Sequence, residues 1–280
     1  MTSYRETLAL ASSVFGGKLI GDVCVEDLAT LNRHARDAGS SASTRAKHLR
    51  VVHACLSAAA DRDYIVKVPK LPKGERPKPV KREAAYFTDD ELPRLFAELP
   101  EGVVRVLAAT AIESGARLGE LLGLTWGDVD LMAGLVHIRR TRSRGETHAP
   151  KTEDSKREAD LTSTGVTLLG AWWGEQGDPD DHALVFPGAD PDGYIESRAP
   201  LRVLHAAMER AGLPRDGRTF HSFRHTYARR ALQAGASIAW LQRQLAHSSI
   251  TVTVDRYGHW EREGRRREVA KIESAPAVGY

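Results

Sequence analysis

A proline-rich basic segment divides the chain into two parts. It reads VPKLPKGERPKPVKRE from Val68 to Glu83, and its four prolines remove backbone donors and prevent a continuous helix. Six lysine and arginine side chains against two glutamates make the segment cationic. A plain soluble spacer would share this composition. We predict a basic linker over residues 67–84, a small domain over residues 1–66 and a larger domain over residues 85–280.

Composition limits the class of protein. Of the 280 residues, 41% are hydrophobic and 28% charged, as in soluble globular proteins. The sequence has neither a run of about 20 apolar residues nor a signal peptide, so we expect a cytoplasmic protein with no membrane partner. Cys24 and Cys55 lack a zinc-binding spacing and are predicted to be buried thiols. The formal charge of +3 is compatible with nucleic acid but common to many other proteins.

Helical periodicity dominates both parts of the chain. It predicts helices over residues 26–37 and 43–60, then 103–113, 117–124, 201–211, 221–234 and 238–245. The segment from Thr88 to Glu91 has the capping-box form that begins a further helix. Alternating residues predict strands over 135–141 and 157–162. The fold class is therefore predicted to be mainly α (α+β): a small helical domain, then a mostly helical domain with a small antiparallel sheet.

Two arginines on separate predicted helices have a partner three residues away. Arg117 and Glu120 share a helix face, so the carboxylate could hold the guanidinium in place, although an ordinary surface ion pair has the same spacing. His221 and Arg224 repeat this arrangement. Together the two pairs favour a site in which both arginines bind the same anion.

A metal site is the alternative interpretation of the histidines. His221 and His225 have the i, i+4 spacing of a zinc-binding helix. The metalloprotease pattern requires glutamate where this chain has Ser222, and no third ligand follows nearby. We therefore predict no metal.

The remaining candidates lie between and after these helices. Lys151 is at the tip of a predicted hairpin, where Lys156 is its rival. His247 follows the last predicted helix, and Tyr257 comes ten residues later. Tyr227, one turn after Arg224, is the only serious rival to Tyr257 among the tyrosines, and its helix pattern favours a packed position.

At these residues the chain resembles the tyrosine recombinase (phage integrase) family. The motif residues, in the family's order, are Arg117, Lys151, His221, Arg224, His247 and Tyr257. The first domain resembles the family's core-binding domain more loosely, through helix pattern and position. The resemblance implies the tyrosine recombinase fold, double-stranded DNA as partner, and a homotetramer on synapsed DNA that is a monomer or weak oligomer when free. A host or phage accessory factor is a further possible partner, and neither cofactor nor metal is required.

The resemblance also implies a role for each residue. Tyr257 attacks a DNA phosphorus, giving a 3′-phosphotyrosyl end and a free 5′-hydroxyl. Arg117 and Arg224, with Glu120 in support, hold the phosphate, and His247 adds a hydrogen bond. Lys151 protonates the leaving oxygen. His221 accepts the tyrosine proton or orients the phosphate, and the sequence does not separate these two roles.

Several basic residues and one unusual alanine complete the predictions. Ala246 stands where the family usually has glycine before the histidine; if the backbone there is left-handed, alanine costs about 1 kcal/mol. The chain begins directly with its core-binding-like domain, so we expect an enzyme without an arm-binding domain. Candidate DNA contacts are Arg45, Lys47, Lys73, Arg76 and Lys78.

Three functions are compatible with this set. The leading one is a site-specific recombinase, the integrase of a temperate phage or similar mobile element, which integrates DNA in a bacterial host; excision by the same enzyme is left open. A type IB topoisomerase uses similar chemistry to relax supercoils. A DNA-binding protein that has lost catalysis is the third, and the intact residues at all six motif positions argue against it.

Overall fold

The computed structural model describes residues 2–80, 83–143, 145–148, 157–189 and 193–261, with side chains from Tyr4 to Gly258 within those ranges. The chain folds into two compact units, residues 1–82 and 83–280. Across the described parts of the chain, none of the helices combines the length and apolar character needed to cross a membrane.

In the described part of the first unit, residues 2–80, three α-helices surround a small core. They are α1 (Thr2–Phe15), α2 (Val25–Asp37) and α3 (Ala42–Ala60), with a short 3-10 helix at Ile20–Asp22. The hydroxyl of Ser41 caps α3 by accepting from the Thr44 amide at 3.2 Å. The core is formed mainly by aliphatic side chains, including Leu28, Leu31, Val52 and Leu56.

Part of the segment predicted as a linker packs into this core. Leu71 is buried there, and Val68 packs against the same cluster. Arg76 Nε donates to the Leu71 carbonyl at 2.7 Å, and Asn32 Nδ2 donates to the Glu75 carbonyl at 3.2 Å. The prolines exclude a helix, as predicted, but the apolar residues between them attach the segment to the helical unit.

The predicted burial of the cysteines is wrong. Cys24 is half-buried and Cys55 is exposed on α3. That helix turns Val52, Leu56 and Ala59 to the core, and Cys55 lies outside this stripe.

The second unit is mainly helical with small antiparallel sheets, as the sequence predicted. Strands β1 (Val129–Asp130), β2 (Leu135–Ile138) and β5 (Arg157–Asp160) form one sheet in the order β1-β2-β5, and β3 (Thr141–Ser143) pairs with β4 (Glu146–His148). The helices are α4 (Glu91–Glu98), α5 (Val103–Ser114), α6 (Leu118–Leu122), α7 (Ser163–Glu175), α8 (Ala199–Arg210), α9 (His221–Gln233), α10 (Ile238–Gln244) and α11 (Ile250–Glu261).

Helix α9 is central to this unit. It packs against α5, α10 and α11, and every residue from Ser222 to Ala228 is buried. Phe223 contacts Phe87 and Phe220 with ring centroids 5.2 and 5.1 Å apart. Because both faces of this stretch are covered, the helix carries Arg224 and His225 into the interior along with its apolar residues.

Local signals explain some elements and fail for others. The capping box is present, since the Thr88 amide donates to Glu91 Oε2 at 2.9 Å and the Glu91 amide to Thr88 Oγ1 at 3.3 Å. The bounds of α1, α7 and α11 were not predicted. Helix α11 begins ITVTV, an alternating β-branched run that favours a strand. It is helical because Thr253 and Tyr257, four residues apart, are both buried on one face.

Candidate active site

Arg224 is a fully buried cation held by backbone carbonyls. Its side chain extends from α9, and the residue is 1% exposed. Nη1 donates to the Gly115 carbonyl at 2.8 Å, and Nη2 donates to the Leu245 carbonyl. Nε is buried with no hydrogen-bond partner among the residues that the structure describes. Burial and the nearby Arg117 lower the pKa of Arg224 to about 9, so the guanidinium is charged at neutral pH.

Arg117 is fixed at the start of α6. Its Nη1 donates to Glu120 Oε1 at 2.6 Å, and its backbone amide donates to Glu120 Oε2 at 2.8 Å. Nη2 reaches the Ala246 carbonyl at 3.2 Å. The side chain is 41% exposed, unlike that of Arg224. The ion pair between Arg117 and Glu120 is therefore half-buried, unlike an ordinary surface pair, and Arg117 also contacts the turn at Ala246.

Glu120 is shared between two arginines. Arg157, on β5, forms a fork to it, with Nη1 to Oε1 at 3.0 Å and Nη2 to Oε2 at 2.9 Å. Burial disfavours the charged carboxylate, but the hydrogen bonds and charge of Arg157 outweigh it and lower the pKa of Glu120 to about 2. Sequence reasoning did not select Arg157, although it lies only six residues after the candidate Lys151.

The turn between α10 and α11 carries His247. Ala246 has φ of 44°, so the left-handed backbone expected there is present. Nδ1 of His247 lies 2.8 Å from Thr253 Oγ1. Burial and the positive charges of Arg224 and Arg117 lower the pKa of His247 to about 3, which keeps the ring neutral.

Tyr257 lies on α11 and is 0% exposed. Its hydroxyl is 2.8 Å from His225 Nδ1. Its ring stacks on His247, with centroids 5.9 Å apart and planes at 21°. Burial raises the pKa of Tyr257, and the charges of Arg224 and Arg256 oppose that rise. The phenol is neutral, shielded from solvent and surrounded by cations and imidazoles.

An open pocket lies beside this tyrosine. Burial and the charges of Arg224 and Arg256 lower the pKa of His221 to about 4, so the positive charge of the pocket comes from its arginines. Arg256, which directly precedes Tyr257 on α11, was not selected from the sequence. The lining residues are Arg117, His221, Arg224, Ala246, His247, Ser248, Val252 and Arg256.

The structure thus gathers five of the six motif residues in one place. Arg117, His221, Arg224 and His247 line the pocket, and Tyr257 contacts His247. Lys151 and its rival Lys156 lie outside the described residues. Tyr227, the rival tyrosine, packs in a small core with its ring centroid 6.4 Å from that of Trp240.

The candidate DNA contacts of the first unit are only partly grouped. Arg45, Arg76 and Lys78 line one pocket, together with Arg33 and Arg36. Arg45 Nη1 donates to Asn32 Oδ1 at 3.2 Å, which fixes one member of the group. The two other candidates, Lys47 and Lys73, are exposed and do not line this pocket.

Comparison with curated proteins gives relatives of two kinds. The Tyrosine recombinase XerC-like protein of Caldanaerobacter subterraneus subsp. tengcongensis is 26% identical over 229 residues, covering 72% of this chain and 58% of the relative. The Prophage integrase IntR of Escherichia coli (strain K12) is 29% identical over 198 residues, covering 62% of this chain and 47% of the relative. The chain spans about half to three fifths of the length of these two proteins.

The fold is that of solved integrase structures. The Tn1549 transposon integrase in complex with circular intermediate DNA superposes with a TM-score of 0.77, at 18% identity, covering 95% of this chain and 91% of that one. The sequence profile of the phage integrase family matches residues 85–263, which include Arg117, His221, Arg224, His247 and Tyr257. The chain belongs to the phage integrase family.

Proposed function

We propose that this protein is a site-specific DNA recombinase that cuts and rejoins strands through a 3′-phosphotyrosyl intermediate. The observation that carries the proposal is the convergence of Arg117, Arg224 and Arg256 on one pocket beside a buried tyrosine. A DNA phosphodiester is an anion of a size and charge that suit such a pocket. Family membership supports the same chemistry.

The two motif arginines are suited to hold the phosphate. Each guanidinium is oriented by a backbone carbonyl, and Arg224 Nε is a buried donor with no partner among the described residues. Donors fixed before the substrate arrives need no reorganisation as charge develops on the phosphate oxygens. His247, held by Thr253, is placed to add a neutral hydrogen bond to the same group.

The reaction exchanges one phosphoester for another. The Tyr257 oxygen forms a bond to phosphorus, its proton passes to a base, and the bond from phosphorus to the 5′-oxygen breaks. Lys151 is proposed to protonate that leaving oxygen. A 5′-hydroxyl from a partner strand reverses the step, so the exchange needs neither ATP nor a metal.

The finer assignment is an integrase of a phage or similar mobile element, acting on two duplexes as a homotetramer. The likeness to a prophage integrase and to a transposon integrase supports this assignment. The XerC-like relative supports the alternative of a chromosomal recombinase. Contact with duplex DNA is proposed to extend to the first unit through Arg45, Arg76 and Lys78.

Replacement of the nucleophile tests the chemistry. Tyr257→Phe should retain binding to a core-site duplex and form no covalent adduct on a nicked suicide substrate, because only the attacking oxygen is lost. Tyr227→Phe, which removes the rival hydroxyl, should form the adduct as the unsubstituted protein does. An adduct from Tyr257→Phe, detected as a slow band on a denaturing gel, would refute the assignment.

Paired plasmid assays test the biological class. Recombination between two different attachment sites is expected, as integration requires, with a tetramer on the synapsed DNA measured by light scattering. Activity confined to two identical sites would contradict the integrase assignment. Relaxation of a supercoiled circle by monomers, with no strand exchange between sites, would indicate a topoisomerase instead.

A further inference from the structure

The phenol of Tyr257 contacts a histidine that is not one of the six motif residues. His225 Nδ1 lies 2.8 Å from the Tyr257 oxygen, and both residues are buried. His225 is the residue after Arg224 on α9. His221, one helical turn earlier, lines the pocket and packs perpendicular to the His225 ring, with centroids 4.7 Å apart and planes at 89°. Two histidines one turn apart therefore face different groups: His225 faces the tyrosine hydroxyl, and His221 faces the pocket proposed for the phosphate.

We propose that His225 is the catalytic base that accepts the Tyr257 proton, and that His221 orients the phosphate. The inference rests on the proposed function, since it assigns a step of that reaction. It divides between two residues the two roles that the sequence left open for His221 alone.

The step balances without a further reactant. With the ring proton on Nε2, His225 Nδ1 accepts the hydrogen bond of the phenol. As the phenol oxygen bonds to phosphorus, its proton moves to Nδ1 and the ring becomes an imidazolium. The electron pair of the breaking ester bond goes to the 5′-oxygen, which takes a proton from the leaving-group acid. When a 5′-hydroxyl later attacks, it gives its proton to the deprotonated leaving-group acid, the bond from phosphorus to the tyrosine oxygen breaks, and the imidazolium returns its proton to the tyrosine.

The surroundings of His225 suit an acceptor. The groups that face it are His221 and Arg224 on its own helix, Arg256 on α11 and His247 on the preceding turn. Burial and these neighbours lower the pKa of His225 to about 3, so the ring is unprotonated at neutral pH. A phosphate in the pocket offsets the arginine charges, and the ring's affinity for a proton rises as negative charge develops on the transferring group.

The first experiment removes the base but keeps a polar atom near its position. His225→Asn should bind a core-site duplex normally and form the covalent adduct about 100-fold more slowly or worse in single turnover. The exposed His182→Asn is the matched control and should react at the unsubstituted rate. A His225→Asn variant that reacts at the normal rate, or faster, would overturn the assignment; the faster rate would show that His225 restrains the phenol.

Two substrate and nucleophile changes separate a base from a structural role. A bridging 5′-sulfur leaves without an acid, so this substrate should fail to rescue His225→Asn. A difluorotyrosine at position 257 ionises more readily and should accelerate His225→Asn by a larger factor than it accelerates the unsubstituted protein. Rescue by the sulfur substrate, or equal acceleration of the two proteins, would contradict the proposal.

A measurement on the unsubstituted protein tests the proposal even if the His225→Asn variant fails to fold. With the bridging-sulfur substrate, proton transfer from Tyr257 is the one remaining in the step, so the unsubstituted protein should react more slowly in heavy water. Equal rates in the two solvents would overturn the proposal. If the unsubstituted protein forms no adduct at all, both the proposed function and the role of His225 are refuted. If it forms the adduct and His225→Asn forms it at the same rate, only the role of His225 is refuted.

Discussion

Glu120 shows how single residues position the site. It is 6% exposed, and it accepts from Arg117 on one side and from both terminal nitrogens of Arg157 on the other. A buried carboxylate between two guanidiniums is stabilised by charge, and removing it leaves two cations facing each other. Its contribution to folding therefore depends on its own ionisation.

The pH dependence of that contribution has a defined direction. The folded-state pKa of about 2 lies below the ordinary carboxyl value of 4.5, so the stabilisation is complete above about pH 4.5 and is lost as pH falls toward 2. Glu120→Gln should lower the free energy of unfolding at pH 7 by on the order of 3 kcal/mol. Urea unfolding from pH 7 to 3 should show a smaller acid loss for this variant than for the unsubstituted protein.

The control is Glu101→Gln, at an exposed position. This variant should follow the unsubstituted protein at every pH. A Glu120→Gln protein that loses stability in acid as steeply as the unsubstituted one would show that Glu120 carries no such linkage.

The sequence revealed those site residues that have a partner a few positions away, and it missed those whose partners are distant in the chain. Arg117, His221 and Arg224 stand out because short spacings place a charged or imidazole partner on the same helix face. Arg157 and His225 act through contacts with residues 37 and 32 positions away, and no local pattern encodes such separations. His225 was also set aside with the zinc interpretation, although its ring faces the phenol.

Among the elements, the turn before α11 fixes both motif arginines. The Leu245 carbonyl accepts from Arg224, and the Ala246 carbonyl accepts from Arg117. Ala246 is left-handed, with φ of 44°. The turn therefore keeps an unfavourable backbone angle and aims two consecutive carbonyls at the site.

Substitution at this position should reveal the strain. Ala246→Gly removes a conformational cost of about 1 kcal/mol and adds a similar loss of chain entropy, so its melting temperature should equal or slightly exceed the original. Ala246→Val, β-branched at a positive φ, should lose about 1–2 kcal/mol or more. Calorimetry on the pair gives the comparison, and a glycine variant less stable than the valine variant would exclude backbone strain as the cause.

Element prediction failed where long-range packing overrides local preference. The β-branched start of α11 has low helix propensity, and its helical state depends on burying Thr253 and Tyr257 against α9 and α10. The capping box of α4 and the stripe of α3 were predictable because a few neighbouring residues determine them. Helix α11, which carries the proposed nucleophile, therefore has little local signal for a helix in its first turn.

At the scale of the whole molecule, the two units present separate basic surfaces. In the first, Arg45 and Arg76 line one pocket with Lys78, whereas Lys47 lies outside it. In the second, Arg117, Arg224 and Arg256 line the proposed reaction site beside Tyr257. DNA that contacts both surfaces would be positioned by one and cut by the other.

Charge removal in the first unit should weaken binding without altering the chemistry. Arg45→Ala should lower affinity about equally for specific and unrelated duplexes and reduce the dependence of log affinity on log salt by about 1. Lys47→Ala is the comparison outside the pocket and should have a smaller effect on both. Fluorescence anisotropy at several salt concentrations measures the slopes, and an unchanged slope for Arg45→Ala would remove it from the DNA contacts.

The backbone acceptors of Arg117 and Arg224 determine which substitutions in this chain would keep the two side chains in position. An acceptor supplied by a main-chain carbonyl survives replacement of the side chain that carries it, as at Leu245 and Ala246. Glu120 provides its oxygens from a side chain, so a replacement there deletes them. The turn can therefore accept substitutions that change its stability and leave both carbonyl acceptors in place.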